Sequence, residues 1–350
     1  MASFWRPFLL ENLRDSPFSN RDLAIHTKTQ RLVAAIGLFT MPHPDDELSM
    51  ASLSCKVSGV IVTYRPDLVI LGELIEAVLP QLDHLIIVNN GNEDELVEWC
   101  SVKGGDIEYI SLGENLGIAK AQNVGIARAK YLGSEYILTL DQDSIPKADM
   151  VEKLKNAIDE KRAAGIAVAC AGPRYDDPRQ QNPVPFIRIK NYRLQRQNCT
   201  GADEVVEVDY LIASGCLIPM DTIDQVGLMQ EDLFIDYVDI EWGLRARQKG
   251  FQSFGVCAAL MKHQLGDAPL RFLGRHIPVH SPLRHYYHFR NAIWLYKQGW
   301  LHTEWKIVDA YRLLRKFVFY SLMTRPRLKH LQMMSLGIRH GIRNRMGRLD

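Results

Sequence analysis

At 350 residues, 47% of them hydrophobic, the chain can bury a full core as one large domain or as one domain with appendages. A formal charge of +1 gives no polyanion-binding signature, so nucleic acid is not an expected partner. That charge is unevenly spread, because from 301 to 350 eleven Lys and Arg face only Glu304, Asp309 and Asp350, about +8 there against about −7 in the remainder.

The six cysteines (Cys55, Cys100, Cys170, Cys199, Cys216, Cys257) include no C-x-x-C pair. Such scatter argues against a disulfide framework or zinc knuckle and suits a reducing compartment. No apolar run reaches the ~18 residues of a membrane span, and Glu11, Arg14 and Asp15 interrupt any signal-peptide core. The expectation is a cytoplasmic protein touching the inner face of a membrane.

Residues 1–55 lack periodicity and read as a poorly structured extension, with Pro7, Pro17, Pro42 and Pro44. His43-Pro44-Asp45-Asp46-Glu47 resembles the metal-binding run of PIG-L/LmbE-type deacetylases, but that family needs a far larger domain and a distant His. Met50-Ala51-Ser52 leads straight into the first strand, so a start at Met50 is expected and residues 1–49 should be dispensable.

A catalytic α/β domain is expected over 56–265. Strand 57–63 is short and β-branched, Pro66 breaks it, and an amphipathic helix follows over 68–79. Strand 85–88 ends in Asn89-Asn90-Gly91-Asn92; helix 93–102 and strand 107–110 come next. This alternation predicts right-handed βαβ units and a mostly parallel sheet. Helix 118–131 carries small residues at Ala119, Ala121 and Gly125, suited to close packing on the sheet or to a ligand. Strand 136–140 then stops at Asp141-Gln142-Asp143. Alternate residues of an extended chain point the same way, so both carboxylates can face one pocket at the strand's carboxyl end. Two converging carboxylates suit a hard divalent cation shared with a phosphate, although a solvated turn explains many such pairs.

Helix 148–164 and strand 167–171 follow, then a polar stretch over 173–200 (Arg174, Arg179, Arg188, Arg193, Arg196), a candidate acceptor-side or lid loop. Strand 205–212 runs to Ser214-Gly215-Cys216. A second acidic cluster, from Leu233 to Trp242, opens helix 240–249, for which Asp239 is either a site residue or an N-cap. Strand 253–261 ends near His263. Beyond it, 266–350 reads as a basic helical region. In helix 303–323, Ile307, Tyr311, Leu314 and Val318 form one apolar stripe, with Arg312, Arg315 and Lys316 off it. That stripe fits either packing on the core or a helix lying on an anionic bilayer.

Taken in order, Val-Thr-Tyr-Arg-Pro, Asn-Asn-Gly, Glu-Asn-Leu-Gly, Leu-Asp-Gln-Asp-Ser, Ser-Gly-Cys, Phe-Ile-Asp-Tyr-Val-Asp-Ile-Glu-Trp and His-Ser-Pro-Leu-Arg-His-Tyr-Tyr resemble family 2 glycosyltransferases of the GT-A fold. Within that family the set is most similar to bacterial rhamnosyltransferases of O-antigen and capsule assembly. The resemblance spans about 57–300 and implies inverting transfer of L-rhamnose from dTDP-L-rhamnose to a lipid-linked glycan acceptor.

The resemblance makes Asp239 the catalytic base and Asp141, Asp143 and His263 the ligands of Mg²⁺ or Mn²⁺, with His280 as competitor for the third position. Thr63, Tyr64 and Arg65 would flank the base, and Asn90, Gly117, Lys120, Asn123, Asp141 and Gln142 would line the rest of the nucleotide-sugar site. Asn89 stands where many relatives carry an Asp against the pyrimidine, a departure from the pattern. Ser214, Gly215, Tyr237, Glu241, Trp242, Arg284 and Arg290 would serve the acceptor and diphosphate side. The alternatives are another donor, such as a UDP-hexose, or a catalytically dead nucleotide-sugar-binding protein; oligomerisation is compatible with either.

Overall fold

The computed structural model describes residues 56–349, apart from 94, 104–106, 177–184, 202, 264–269, 273–274 and 278–279. The expected N-terminal extension, the start at Met50 and the acidic run at 43–47 lie outside the described residues.

β1 (Val57–Thr63) is buried along its whole length, as an apolar run without polar alternation should be in a covered parallel sheet. Asp67 caps α1 (Leu68–Val78), accepting from the N–H of Val69 and Ile70, and the helix buries Leu71, Leu74, Ile75 and Val78. β2 (His84–Asn89), α2 (Glu95–Lys103), β3 (Ile107–Ser111), α3 (Ile118–Tyr131) and β4 (Tyr136–Asp141) continue the alternation. Their strands lie in the order β3-β2-β1-β4, all parallel, so the ends of β1, β2 and β4 open on one side of the sheet.

The second half is mixed. β5 (Ser144–Pro146), α4 (Met150–Ala163), β6 (Val168–Asp176), β7 (Phe186–Lys190), β8 (Arg193–Gln197), β9 (Val205–Val208), β10 (Cys216–Pro219), α5 (Met220–Val226), α6 (Val238–Gln248) and β11 (Gln252–His263) follow. The sheet continues β4-β10-β6-β11-β5, with β10 antiparallel to β4 and β6, and β5 and β9 antiparallel to β11.

Period-two alternation divides the core between the two faces of the sheet. Val60, Val62, Ile86 and Val88 pack under α3 on one side; Val57, Ile61, Leu85 and Ile87 meet α1 and α4 on the other. Small residues on α3 serve this packing, since a Cβ on Gly125 would collide with the side chain of Val60. After the short pair β12 (Leu270–Phe272) and β13 (Arg275–Ile277), three helices close the chain: α7 (Pro282–Tyr296), α8 (Thr303–Met323) and α9 (Arg327–Ile342). They share a third core around Phe289, Leu295, Trp305, Leu313 and Met334.

Three expectations change. The polar stretch 173–200 is not a plain loop: β7 and β8 form a hairpin whose Phe186 and Ile189 are buried, an apolar face hidden among arginines and glutamines. Strand 205–212 stops at Val208, where the Asp209 side chain turns inward to accept from the Ile189 N–H (2.7 Å). Cys199 and Cys257 form a disulfide across a separation of 58 residues. The antiparallel pairing of β9 with β11 brings these two together, which linear spacing does not reveal.

Candidate active site

β4 ends at Asp141 and the chain turns through Gln142 and Asp143 into β5. The Asp141 N–H donates to Ser214 Oγ (3.1 Å), which shares a hydrogen bond with Ser144 Oγ (2.5 Å). The Gly215 N–H donates to Thr139 O (2.8 Å) and the Thr139 hydroxyl to Ala213 O (2.5 Å). Ser214 and Gly215 therefore brace the tip of β4. Gly215 has φ 77°, and a Cβ there would lie 2.7 Å from Pro173 Cγ, so the brace closes only with glycine.

Beside this tip, Thr63 and Asn89 end β1 and β2 in register and are fully buried. Asn89 Nδ2 donates to the Tyr109 hydroxyl (2.9 Å), while Asn89 Oδ1 and Thr63 Oγ1 have no hydrogen-bond partner among the described residues. Orphaned buried acceptors are costly, and a ligand donor is one way to satisfy them. Gln142 reaches back to the Tyr64 backbone, accepting from its N–H (2.8 Å) and donating to its carbonyl (3.3 Å). The Arg65 guanidinium lies over the exposed Tyr64 ring. Asn90 orders the next turn: its Oδ1 accepts from the Leu116 N–H (2.8 Å) and its Nδ2 donates to Asn115 (3.2 Å). Gly117 (φ 91°) starts α3 where a Cβ would lie 2.7 Å from the Phe234 carbonyl oxygen.

Phe234 belongs to the second acidic run, whose backbone is unusual. Phe234, Asp236 and Tyr237 all have positive φ (64°, 64° and 66°), and left-handed backbone in bulky residues persists only where surroundings enforce it. Here α7 enforces it. Asn291 Nδ2 reaches the carbonyls of Leu233, Ile235 and Asp236 at 2.8–2.9 Å, and Arg290 Nη2 reaches those of Asp232 (3.2 Å) and Leu233 (2.9 Å). The Ile118 N–H adds a bond to the Phe234 carbonyl at 2.7 Å.

This run delivers Asp239 in the first turn of α6, not at its N-cap, which is Tyr237. Asp239 Oδ1 accepts from the Ile240 N–H at 2.8 Å. Burial pushes its carboxyl up to about 6, and the like charges of Asp141 and Asp236 push the same way. Asp141, at the end of the first acidic run, thus lies within the electrostatic reach of Asp239 in the second. Asp239 in turn helps push the buried Tyr210 phenol up to about 12, after burial itself.

Several predicted residues are engaged by the scaffold. Glu241 is buried in an ion pair with Arg245 (2.7 and 3.0 Å), which also caps the carbonyls of Val226 and Leu228 at 2.7 Å. Trp242 is buried and donates to the Gly227 carbonyl at 2.8 Å. The buried Tyr237 hydroxyl donates to Asp309 at 2.7 Å. Arg290 is fully buried among Gly347, Asp232 and Leu233 carbonyls, so it holds the loop and cannot meet a diphosphate. Asn123 is likewise structural, exchanging bonds of 2.9 Å with the Met229 backbone, and Lys120 pairs with Glu231 at 3.1 Å. An acidic or aromatic residue one turn away on a helix faces the interior as readily as the site, and spacing alone does not separate the two.

Arg284 does stay at the mouth, half-exposed with its Nε 3.3 Å from Asp236. Nothing in the sequence pattern singles out Lys316 of α8. Its Nζ lies 2.9 Å from His288 Nε2, and burial, then Arg312, lowers it to about 8 while Asp309 and Asp236 oppose the shift. Burial also keeps His288 neutral. Only the fold, which lays α8 over α7, brings Lys316 within reach of Asp236's charge.

His263 is reached by backbone: in the β5–β11 ladder it pairs with Ser144, the residue after Asp143. His280, on the approach to α7, sits edge-on to His285 with ring centroids 6.4 Å apart. Among the described residues no group of three or more His, Cys, Asp or Glu is assembled for a metal. The donors present nevertheless fit a hard cation, since Asp141 and Asp143, two residues apart at and just past the end of β4, offer carboxylate oxygens, and Asp141 and Asp236 each repel Asp239.

A family model described as Glycosyl transferase family 2 matches residues 58–211. The chain is 33% identical over 251 residues to the dTDP-rhamnosyl transferase RfbF of Shigella flexneri, covering 71% of this chain and 82% of that one. It is 27% identical over 294 residues to the galactofuranosyltransferase GlfT1 of Mycolicibacterium smegmatis, covering 79% and 95%. Among solved structures, GalNAc-T7 with UDP, GalNAc and Mn²⁺ matches with a TM-score of 0.56 at 14% identity, over 84% of this chain and 57% of that one. S. aureus TarS 1–349 in complex with UDP-GlcNAc matches with 0.54 at 15%, over 83% and 82%. The fold is that of the GT-A glycosyltransferases.

Proposed function

The chain belongs to glycosyl transferase family 2, and from that premise we propose that it moves L-rhamnose from dTDP-L-rhamnose, with inversion, to a lipid-linked glycan acceptor in cell-surface polysaccharide synthesis. The observation that carries the reading is the convergence of Asp141, at the end of β4, on Asp239, raised to about 6 at the start of α6. The Shigella flexneri relative named a dTDP-rhamnosyl transferase supports the donor.

In this reading Asn89 Oδ1, buried without a partner, accepts from the ring N–H of the pyrimidine, as an aspartate would, and Tyr64 covers the base. The acceptor hydroxyl attacks the anomeric carbon. A C–O bond forms there as the bond to the diphosphate oxygen breaks with its electron pair, and Asp239 takes the hydroxyl proton. A carboxylate near 6 suits this task, because it is ionised at neutral pH yet basic enough to accept a proton. Arg284 and Lys316 supply positive charge around the reacting diphosphates. Asp141 and Asp143, with His263, would hold Mg²⁺ or Mn²⁺, which supplies Lewis-acid stabilisation of the leaving nucleotide.

Work on a lipid-linked substrate would take place at the anionic inner surface of the plasma membrane. A second reading, a different nucleotide sugar such as a UDP-hexose, fits Asn89 equally well, since uracil and thymine share the ring N–H it would read. Donor screening by released nucleotide, with and without Mg²⁺ or Mn²⁺ and with a membrane extract as acceptor source, tests both. Turnover of dTDP-rhamnose alone supports the first, preference for a UDP-sugar supports the second, and tight dTDP binding without turnover on any acceptor overturns both.

A further inference from the structure

α8 is apolar on two sides. Its inner side buries Trp305, Val308, Leu313 and Tyr320. On the outer side Ile307, Tyr311, Leu314, Val318 and Leu322, spaced 4, 3, 4 and 4, are each 50–62% exposed. This is the stripe whose periodicity fits either core or surface, and it faces out. Leu328, at the start of α9, extends it at 73% exposure. Lone exposed leucines need no explanation, but six large apolar side chains in one continuous band do.

The charge around the band is of one sign. Arg315, Arg325, Arg327, Lys329 and Arg339 are exposed on and between α8 and α9. The two helices contain only two carboxylates. Glu304 accepts from the Tyr192 N–H, and Asp309 is buried against Tyr237, Tyr296 and Arg312. No helix among the described residues is long and apolar enough to cross a membrane, so a partner must be met along the surface. A second copy of this band would bring cation against cation. An apolar band fringed by uncompensated Lys and Arg complements a phospholipid surface with anionic headgroups.

We propose that the outer face of α8 and the α8–α9 corner form a docking surface for an anionic bilayer, with the α8 stripe set among the acyl chains and Arg315, Arg325, Arg327 and Lys329 at the headgroups. Its purpose rests on the reading of a lipid-linked acceptor. Its test reads lipid binding and needs no turnover, so either can fail alone.

Full-length protein is sedimented with vesicles of phosphatidylcholine alone or with about one third phosphatidylglycerol, with dTDP binding measured separately by calorimetry. The expected result is pelleting with the anionic vesicles, at least tenfold weaker with neutral ones and reduced by salt. Leu314→Glu with Val318→Glu should reduce pelleting at least tenfold, with melting temperature and dTDP affinity unchanged. Arg325→Glu, Arg327→Glu and Lys329→Glu together should remove the preference for anionic lipid. Pelleting indifferent to phosphatidylglycerol overturns the assignment, as does a stripe variant that pellets like the parent. So does a parent that is dimeric without vesicles and becomes monomeric on stripe substitution.

Discussion

The acidic run at the tip of β4 and the acidic run leading into α6 bring carboxylates to one mouth by different means. Asp141 and Asp143 need nothing beyond a parallel strand that ends, braced by Ser214. Asp239 instead depends on three left-handed residues held from outside by Arg290 and Asn291 of α7. The first arrangement is local and its residues are read directly from the chain. The second is a tertiary construction, and most of its charged and aromatic residues (Tyr237, Glu241, Trp242) are part of the scaffold.

The sharpest division between the runs is chemical. Asp239→Asn removes the proposed base and keeps the shape, so transfer should fall by about 10²–10⁴-fold, while dTDP affinity measured by calorimetry stays within a few-fold. Substantial turnover by this variant would remove Asp239 from the mechanism.

Arg290→Ala tests the construction. It leaves the Gly347 carbonyl without its Arg290 donor and takes one of two donors from the carbonyls of Asp232, which keeps the Gly347 N–H, and Leu233, which keeps Asn291, at about 1–3 kcal/mol for a buried group left unpaired. A drop of several degrees in melting temperature should accompany the loss of transfer. Arg290→Lys should not rescue it, because a single ammonium cannot span three carbonyls as the planar guanidinium does. The matching change at the first run, Ser214→Ala, should cost less, since it touches one backbone N–H and one hydroxyl. Equal melting temperatures for Arg290→Ala and the parent would show that the loop holds itself.

The two runs should also be separable by pH. Asp239's carboxyl is raised, so it must lose a proton to act as base, and transfer should rise as pH increases through about 6. The sign for stability is opposite to that of a salt-bridged aspartate. The unfolded group ionises near 3.9 and the folded one later, so between those values the fold loses stability as pH rises. At pH 7, without added divalent cation, Asp239→Asn should therefore melt slightly above the parent even though it is inactive. Asp236→Asn, which removes one of the like charges, should move the midpoint of the activity profile downward.

How much of this is legible in the chain follows from the same contrast. The βαβ half is written in short-range signals, and helices 118–131 and 303–323 match α3 and α8 to the residue. β5 and β10 are three and four residues long and give no periodic signal. The β7–β8 hairpin looks polar because only alternate residues are apolar, and few of those. Arg290 looks like a phosphate ligand because the sequence shows its charge and not the three carbonyls around it. Lys316 is invisible as a candidate because 80 residues separate it from Asp236 and only the packing of α8 on α7 brings it into that carboxylate's field.

The smallest expected effect is at Asn89, which the proposed reading places against the pyrimidine. A buried Oδ1 without a partner among the described residues, beside an Nδ2 already committed to Tyr109, can accept from a pyrimidine's ring N–H but cannot attract it by charge. Asn89→Ala should weaken dTDP binding by about five- to tenfold, the worth of one neutral hydrogen bond. Asn89→Asp restores the acceptor and adds charge, and so should bind dTDP at least as tightly as the parent provided its carboxyl ionises. Because Asn89 is fully buried, the alanine variant must be shown to melt with the parent before its affinity is compared. Unchanged dTDP affinity in a folded Asn89→Ala protein would place the base elsewhere than at the ends of β1 and β2. The opening between Thr63 and Asn89 would then have to be satisfied by water, and recognition would fall to Tyr64 and Arg65 alone.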